Sequence, residues 1–329
     1  MRPTHPIRIT RDKTRCAGTR ELAALRRDFE RQSFVRFPAM IDRKLMRVIA
    51  AHLEHADFGR VEHRGFGRDL SMAPNVASAA LNFLLNDPAL FDAIRTITGS
   101  ARIGSFAGRV YRVADQGGLG LEWHDDAVRD RLVALSINVG SGTYRGGRLE
   151  IRDRTAGRIV AQVKNRGLGS AILFRIGPAL EHRNSPVTGS IAKTAFAGWF
   201  MARPDYPAAV RRQLNRTAAA RVRKKVQARG STLAARAKIP PAIAWRRIGD
   251  ETLVIDLRSG SSYRLDETGG KIWKMLAKGN GPAAIARALA AEYAIAATTV
   301  RDDIDLMLRD LARSGLIGPL DGQRRPSSL

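Results

Sequence analysis

Apolar and polar positions alternate with two different periods along this chain, and the change of period divides it. Up to about residue 98 the spacing is helical. Leu22, Leu25 and Phe29 predict a helix over 21–32, Asp42 caps a second one that carries Leu45, Val48, Ile49 and Leu53, and two more follow over 77–85 and 88–97. Ser33–Pro38 reads as a short strand between the first two. Residues 1–20 read as an irregular basic arm, and the glycine- and arginine-rich stretch 64–74 as a loop or flexible lid. From residue 101 the pattern becomes that of strands, at 106–113, 132–139, 148–152, 159–163, 171–174 and 194–200, separated by glycine turns. Short strands at fairly even spacing predict a double-sheet jelly roll, with side chains at the strand ends placed on the mouth of the barrel.

The last ninety residues repeat the change in reverse order. Trp245–Leu257 holds two strand patterns with a turn at Gly249-Asp250, and a third strand runs over Ser262–Leu265. Three helices follow: one capped by Thr268 with Ile272, Trp273 and Leu276, one from Pro282 with Ile285, Leu289 and Tyr293, and one from Thr299 with Val300, Ile304, Met307, Leu308 and Leu311. Gly315 ends the last helix as a C-cap glycine. The expected fold class is therefore α+β. A jelly roll with N-terminal helices occupies 1–205, a basic linker or helix 206–238, a winged-helix-like β3α3 module 239–320, and a tail 321–329.

Composition sharpens this division. The chain of 329 residues carries a net charge of +25. The stretch 206–238 holds ten basic and no acidic residues, whereas 239–329 nets only +2 and 1–205 nets +13. The excess belongs to the first domain and the linker; it either steers acidic partners or reflects an arginine-rich genome. The near-neutral module argues against a DNA-binding winged helix, because duplex binding depends on neutralising phosphates. Cys16 is the only cysteine, which excludes an intrachain disulfide and a thiolate cluster. The first residues have no apolar signal-peptide core, and no apolar run approaches the ~20 residues that span a bilayer. A cytoplasmic location without membrane contact is expected.

The candidate chemistry lies in the strand region. His124 and Asp126 stand one residue apart in Glu122-Trp-His-Asp-Asp126, and His182 follows in Glu181-His-Arg-Asn-Ser-Pro-Val187. Two imidazoles and a carboxylate on one face of a β-scaffold suit a facial Fe(II) site with open positions opposite. On an extended segment, residues one apart point to the same side. His52, His55 and His63, with Glu54, Asp57 and Glu62 nearby, read instead as a solvated helix end.

The order around these residues resembles the 2-oxoglutarate- and Fe(II)-dependent dioxygenases, in the prolyl-4-hydroxylase-like branch, over about residues 25–203. Tyr111, His124-x-Asp126, Gly146-Gly-Arg-Leu149, Gly169 to Phe174, His182 with Pro186-Val187 and Gly189, Lys193 and Trp199-Phe200 carry the resemblance. It implies His124, Asp126 and His182 as iron ligands, Lys193 as partner of the distal carboxylate of 2-oxoglutarate, Tyr111 as a hydrogen-bond donor to that co-substrate, and O2 as the other reactant. Lys193 replaces the usual arginine and stands one residue further from His182, with the extra residue placed in the 189–192 turn. Asn184 stands where the pattern has valine, a minor departure.

Residues 243–318 resemble the PqqD-like family in Trp245-Arg246, Gly260 to Thr268, Ile272-Trp273-x-x-Leu276 and Asp310-Leu311 to Ile317. That resemblance implies a recognition domain for the leader of a ribosomally made precursor peptide. The leader would lie along the third strand, at Ser261, Ser262, Tyr263, Arg264 and Leu265, in a groove walled by Ile304, Met307, Leu308 and Leu311. Together the halves imply a peptide hydroxylase with built-in leader binding. The alternatives are a dioxygenase acting on a free amino acid or small metabolite, with the module docking a partner protein, and a peptide chaperone on a degenerate dioxygenase fold.

Overall fold

Alternation of apolar and polar residues becomes sheet in the computed structural model, which describes residues 5–63, 67–114, 120–128, 130–203, 238–248, 250–294 and 296–318. The basic stretch 206–238, the tail 321–329, and the turn glycine Gly249 lie outside the described residues, except for Lys238. The chain divides into two compact units, Met1–Ala218 with Leu257–Gly260, and Ala219–Asp256 with Ser261–Leu329.

The first unit opens on a hairpin. Strands β1 (Ile7–Ile9) and β2 (Thr14–Cys16) pair antiparallel, so the expected irregular arm is ordered here. The cause is local: Ile7 and Ile9 sit on one face with Arg8 between them, and both isoleucines are fully buried. Helix α1 (Thr19–Gln32), strand β3 (Phe34–Phe37) and helix α2 (Arg43–Glu54) follow as the periodicity predicts. The Asp42 side chain accepts hydrogen bonds from the Lys44 and Leu45 amides at the α2 N-terminus.

The expected loop over 64–74 is instead part of an antiparallel pair, β4 (Phe58–His63) and β5 (Gly67–Met72), with 64–66 outside the described residues. Its arginines and glycines disguise a strand that has one deeply buried side chain, Asp69, and ends on the buried Met72.

Helices α3 (Val76–Leu85) and α4 (Pro88–Thr98) precede the main sheet. That sheet also contains β6 (Ser105–Val113), β7 (Gly120–Leu121), β8 (Arg131–Asn138), β12 (Ala171–Phe174) and β15 (Lys193–Met201). Its eight strands run β3-β12-β8-β15-β6-β5-β4, with β7 beside β5. Facing it are β10 (Leu149–Asp153), β11 (Ile159–Val163) and β13 (Leu180–Asn184), in the order β11-β10-β13, and the short pair β9 (Arg145–Gly146) and β14 (Val187–Thr188). The two layers enclose Leu149, Ile151, Val163, Ile172 and Phe174, the interior of a jelly roll.

Two devices hold the main sheet rigid under this interior. Asn82 on α3 and Asn86 at its C-cap, one turn apart, bond in both directions with the backbone of Gly108 and Phe106, covering a stretch of β6 that β5 does not reach. Gly198 faces Gly108 across the β15–β6 pair; a Cβ on Gly198 would stand 2.1 Å from the Ala107 carbonyl oxygen, so only glycine fits.

The second unit is the β3α3 module. Strands β16 (Ile243–Ile248), β17 (Glu251–Asp256) and β18 (Ser262–Leu265) form an antiparallel sheet with β17 in the middle. Helices α5 (Glu267–Ala277), α6 (Pro282–Tyr293) and α7 (Ala297–Arg313) cover it around Trp273, Ile285, Leu289, Ile304 and Leu308. Helix α5 is capped by Asp266, whose carboxylate accepts from the Gly269 amide, so the cap lies two residues before Thr268. Gly315 holds φ 69°, the left-handed conformation expected of a glycine closing α7. Among the described residues, no helix is long and apolar enough to cross a membrane.

Candidate metal centre

His124 and His182 meet through their backbones before their rings do. The His124 amide donates to the His182 carbonyl at 3.2 Å, and the His182 amide to the His124 carbonyl at 2.8 Å. This isolated bridge fixes the segment after β7 against β13, and the two rings lie 4.3 Å apart between centroids. Asp126 then reaches the pair by a route different from strand alternation. It takes φ 53°, a left-handed conformation that aspartate tolerates better than most residues, and residues 125–128 are not strand. The chain bends at Asp126 and brings its carboxylate back towards His182, with Oδ2 at 3.3 Å from Nε2. One ligand atom from each of His124, Asp126 and His182 lies within 4.8 Å of the other two.

The surroundings orient all three. The Glu122 carbonyl lies 2.7 Å from His124 Nδ1 and can only accept, so the proton belongs on Nδ1 and the lone pair on Nε2. Trp199 Nε1 donates to Asp126 Oδ2 at 2.9 Å, and Arg131 donates to Oδ1 at 3.1 Å while its guanidinium lies 3.5 Å over the Trp199 ring. Burial on its own raises the Asp126 carboxyl, but His182, His124 and Trp199 outweigh it and hold the group at about 2. Burial, and then the neighbouring His182, push His124 below the ordinary histidine value. The result is an ionised carboxylate beside an unprotonated imidazole, the forms that bind a metal.

The group faces a cavity of about 320 Å³, lined among others by Tyr111, Asn184 and Lys193. Lys193 starts β15 and is 3% exposed. Its ammonium donates to the Gly147 carbonyl at 3.0 Å and to Asn184 Oδ1, and it has no carboxylate partner among the described residues. Burial pushes it down to about 7. The Gly147 carbonyl is presented by a left-handed glycine pair, Gly146 at φ 70° and Gly147 at φ 59°. A Cβ on Gly146 would lie 1.9 Å from the Pro186 carbonyl oxygen, so the turn needs glycine there. Tyr111 on β6 is buried, which raises its phenol, and its oxygen accepts a 3.3 Å hydrogen bond from Asn184 Nδ2.

Several of these contacts correct the sequence reading. Asn184 is no minor departure, because it joins Lys193 to Tyr111. His63 is not part of a solvated helix end: it lies on β4, lines the cavity and stands 3.1 Å from both the buried Asp69 and Arg109. His52 and His55 do lie at the end of α2. Arg131 and Trp199 carry no sequence signal for their contacts with Asp126, since strand register alone brings Trp199 there from 73 residues away.

In the module, β18 is an outer strand of the sheet. Ser261, Ser262, Tyr263 and Leu265 are half-buried, and Arg264 is exposed, with a 3.4 Å ion pair to Glu251. Ile304 and Leu308, expected to wall a peptide groove, are 1% and 0% exposed inside the module's own core; Met307 beside them is only partly buried.

Residues 251–317 match the family model of Coenzyme PQQ synthesis protein D (PqqD), which bears out the resemblance of the C-terminal module. Among solved structures, TbiB1 in complex with the TbiA(beta) leader peptide shares 36% identity over 26% of this chain and 98% of its own, with a TM-score of 0.24. A Pseudomonas putida prolyl-4-hydroxylase shares 19% identity over 55% of this chain and 99% of its own, with a TM-score of 0.42. A Trichoplax adhaerens prolyl hydroxylase, solved with a hypoxia inducible factor oxygen degradation domain peptide fragment, shares 14% identity over 56% of this chain and 90% of its own, with a TM-score of 0.44. No curated protein matches the chain.

Proposed function

We propose that this chain is an Fe(II)- and 2-oxoglutarate-dependent oxygenase that hydroxylates a ribosomally made precursor peptide, held by its leader on the C-terminal module. The observation that carries the reading is one cavity with two chemically distinct ends: the gathered donors of His124, Asp126 and His182, and a buried Lys193 that no carboxylate among the described residues neutralises.

The residues fit the group. Two imidazoles and a carboxylate form the donor set that suits Fe(II) and leaves positions open. When bound there, iron with 2-oxoglutarate and O2 supplies the oxidising power to functionalise an unactivated C–H bond. The chain's own residues do the rest. Trp199 and Arg131 restrain the Asp126 carboxylate, and the Glu122 carbonyl fixes the His124 tautomer. Lys193 pairs with the distal carboxylate of 2-oxoglutarate and Tyr111 donates to it. Leu135, Ile172 and Phe174 form an apolar wall that limits water at the reacting centre.

The module supplies recognition. An extended leader adds to the outer edge of β18, using Ser261, Ser262, Tyr263, Arg264 and Leu265, and its backbone bonds provide affinity. The PqqD match over 251–317 supports this assignment. Ile304 and Leu308 act from behind, as core that keeps the edge in place, and Met307 is the α7 side chain left to meet the leader. Tethering raises the local concentration of the core peptide, so that weak contacts in the cavity suffice. The domain limits 1–205 and 239–320 belong to the same proposal.

Succinate release tests it. Protein loaded anaerobically with Fe(II), then given 2-oxoglutarate and oxygen, should form succinate faster when a precursor peptide encoded beside the gene is added. Turnover that ignores the peptide and follows a free amino acid or other small metabolite would replace peptide hydroxylation with the small-molecule reading.

A further inference from the structure

Asn184 occupies a position that the sequence pattern gives to valine, and its amide spans two groups that cannot be satisfied at random. The Lys193 ammonium carries three N–H donors and no acceptor. One donor goes to the Gly147 carbonyl at 3.0 Å and another to Asn184. A donor-only partner forces the Asn184 amide to present its oxygen to Lys193. The amide nitrogen is then turned towards Tyr111 and donates to the phenol oxygen at 3.3 Å. A phenol has one proton, so Tyr111, accepting on the Asn184 side, keeps its own O–H for a partner elsewhere in the cavity that it lines. The third Lys193 donor has no acceptor among the described residues.

We infer that Asn184 is a positioning residue that fixes these proton directions, so that Lys193 and Tyr111 present donors together to the distal carboxylate of a 2-oxo dicarboxylic acid. This inference rests on the co-substrate reading above and adds the element that sets the preference for a dicarboxylate over a monocarboxylate. Its place on β13 supports the role. Residues two apart on a strand share a face and stand about 6.6 Å apart along it. His182 and Asn184 are such a pair, so one short strand carries a candidate metal ligand and the organiser of the opposite end of the ligand. Valine here would remove an acceptor from a buried ammonium and a donor from a buried phenol at once, and asparagine is compact enough to serve both. Lys193 and Asn184 thus form a matched departure from the usual arginine and valine.

The test is calorimetric titration of Mn(II)-loaded protein with 2-oxoglutarate and with 2-oxobutyrate, which lacks the distal carboxylate. Wild type should prefer the dicarboxylate. Asn184→Val should cut that preference roughly tenfold or more, the worth of a hydrogen bond to a charged group, while its affinity for 2-oxobutyrate stays unchanged. Asn184→Asp, nearly the same shape, should lose the preference as well, because its carboxylate takes both donors for itself. It decides the matter if the valine variant does not fold. An unchanged preference in the variants, or an equal loss for both ligands, overturns the inference and leaves the co-substrate reading standing. A wild type that binds both ligands alike removes that reading and the inference with it.

Discussion

The two units differ in what they build from their polar groups. The first buries them in bonded networks around a cavity: Asp126 held by Trp199 and Arg131, Lys193 by Gly147 and Asn184, and Asp69 by Arg109. The module has an interior built round Trp273, Ile304, Leu308 and other apolar side chains, and offers partners the outer strand of its sheet. A cavity with oriented side chains suits chemistry on small groups. A free strand edge reads main chain and tolerates many sequences. On the proposed function the first unit carries the reaction and the second the grip, and the contrast says how each should fail.

Asp126→Ala should produce the largest effect. It should abolish tight Fe(II) binding and iron-dependent turnover while leaving peptide affinity at its wild-type value. Retained turnover would remove the metal assignment, and lost peptide binding would break the separation of the units. Leu308→Ala should do the reverse, destabilising the module by about 2–5 kcal/mol as a buried leucine truncation does. In a thermal melt it should lower the module's transition and leave metal binding intact. Trp199→Phe keeps the ring but removes the hydrogen bond to Asp126, and should weaken metal binding roughly 10–100-fold; an unchanged metal titration would show that Arg131 alone holds the carboxylate.

A smaller effect concerns pH. Burial lowers Lys193 to about 7 in the folded protein, and an unfolded lysine titrates near ~10.4. Between those values the unfolded chain binds more protons, so stability rises with pH across that window. Lys193→Met should flatten that rise, and superimposable curves of melting temperature against pH for the two proteins would contradict it. Smallest of all, Tyr263→Ala should reduce leader affinity several-fold with little change in the melt, since backbone bonding along β18 carries most of the contact. A stability loss like that of Leu308→Ala would instead make Tyr263 core.

Much of this was legible in the sequence because it is periodic or local. Strands of the jelly roll show as short apolar runs between glycines, α7 shows as a clean i, i+4 stripe, and His124, Asp126 and His182 stand out by type and order. What escaped was decided across space. Nothing near residue 199 in the chain says that its indole meets Asp126, and Asn184 looks like a minor departure until Lys193 and Tyr111 are seen on either side of it. Strand β5 was hidden by arginines and glycines, because its buried Asp69 is paired with Arg109 from the neighbouring strand β6, far away in sequence. Even where the reading named residues that the structure brings together, the cause differed: Asp126 reaches the histidines through a left-handed turn and not through strand alternation.

The most direct measurement is the intact mass of a precursor peptide after incubation with the protein, Fe(II), 2-oxoglutarate and oxygen, beside the same peptide with its leader removed. The account predicts that the full peptide gains the mass of one oxygen atom and that the leaderless core is modified far more slowly. Equal modification of both would contradict a gripping role for the module, and modification of neither, with succinate formed only from a small metabolite, would contradict the peptide as substrate.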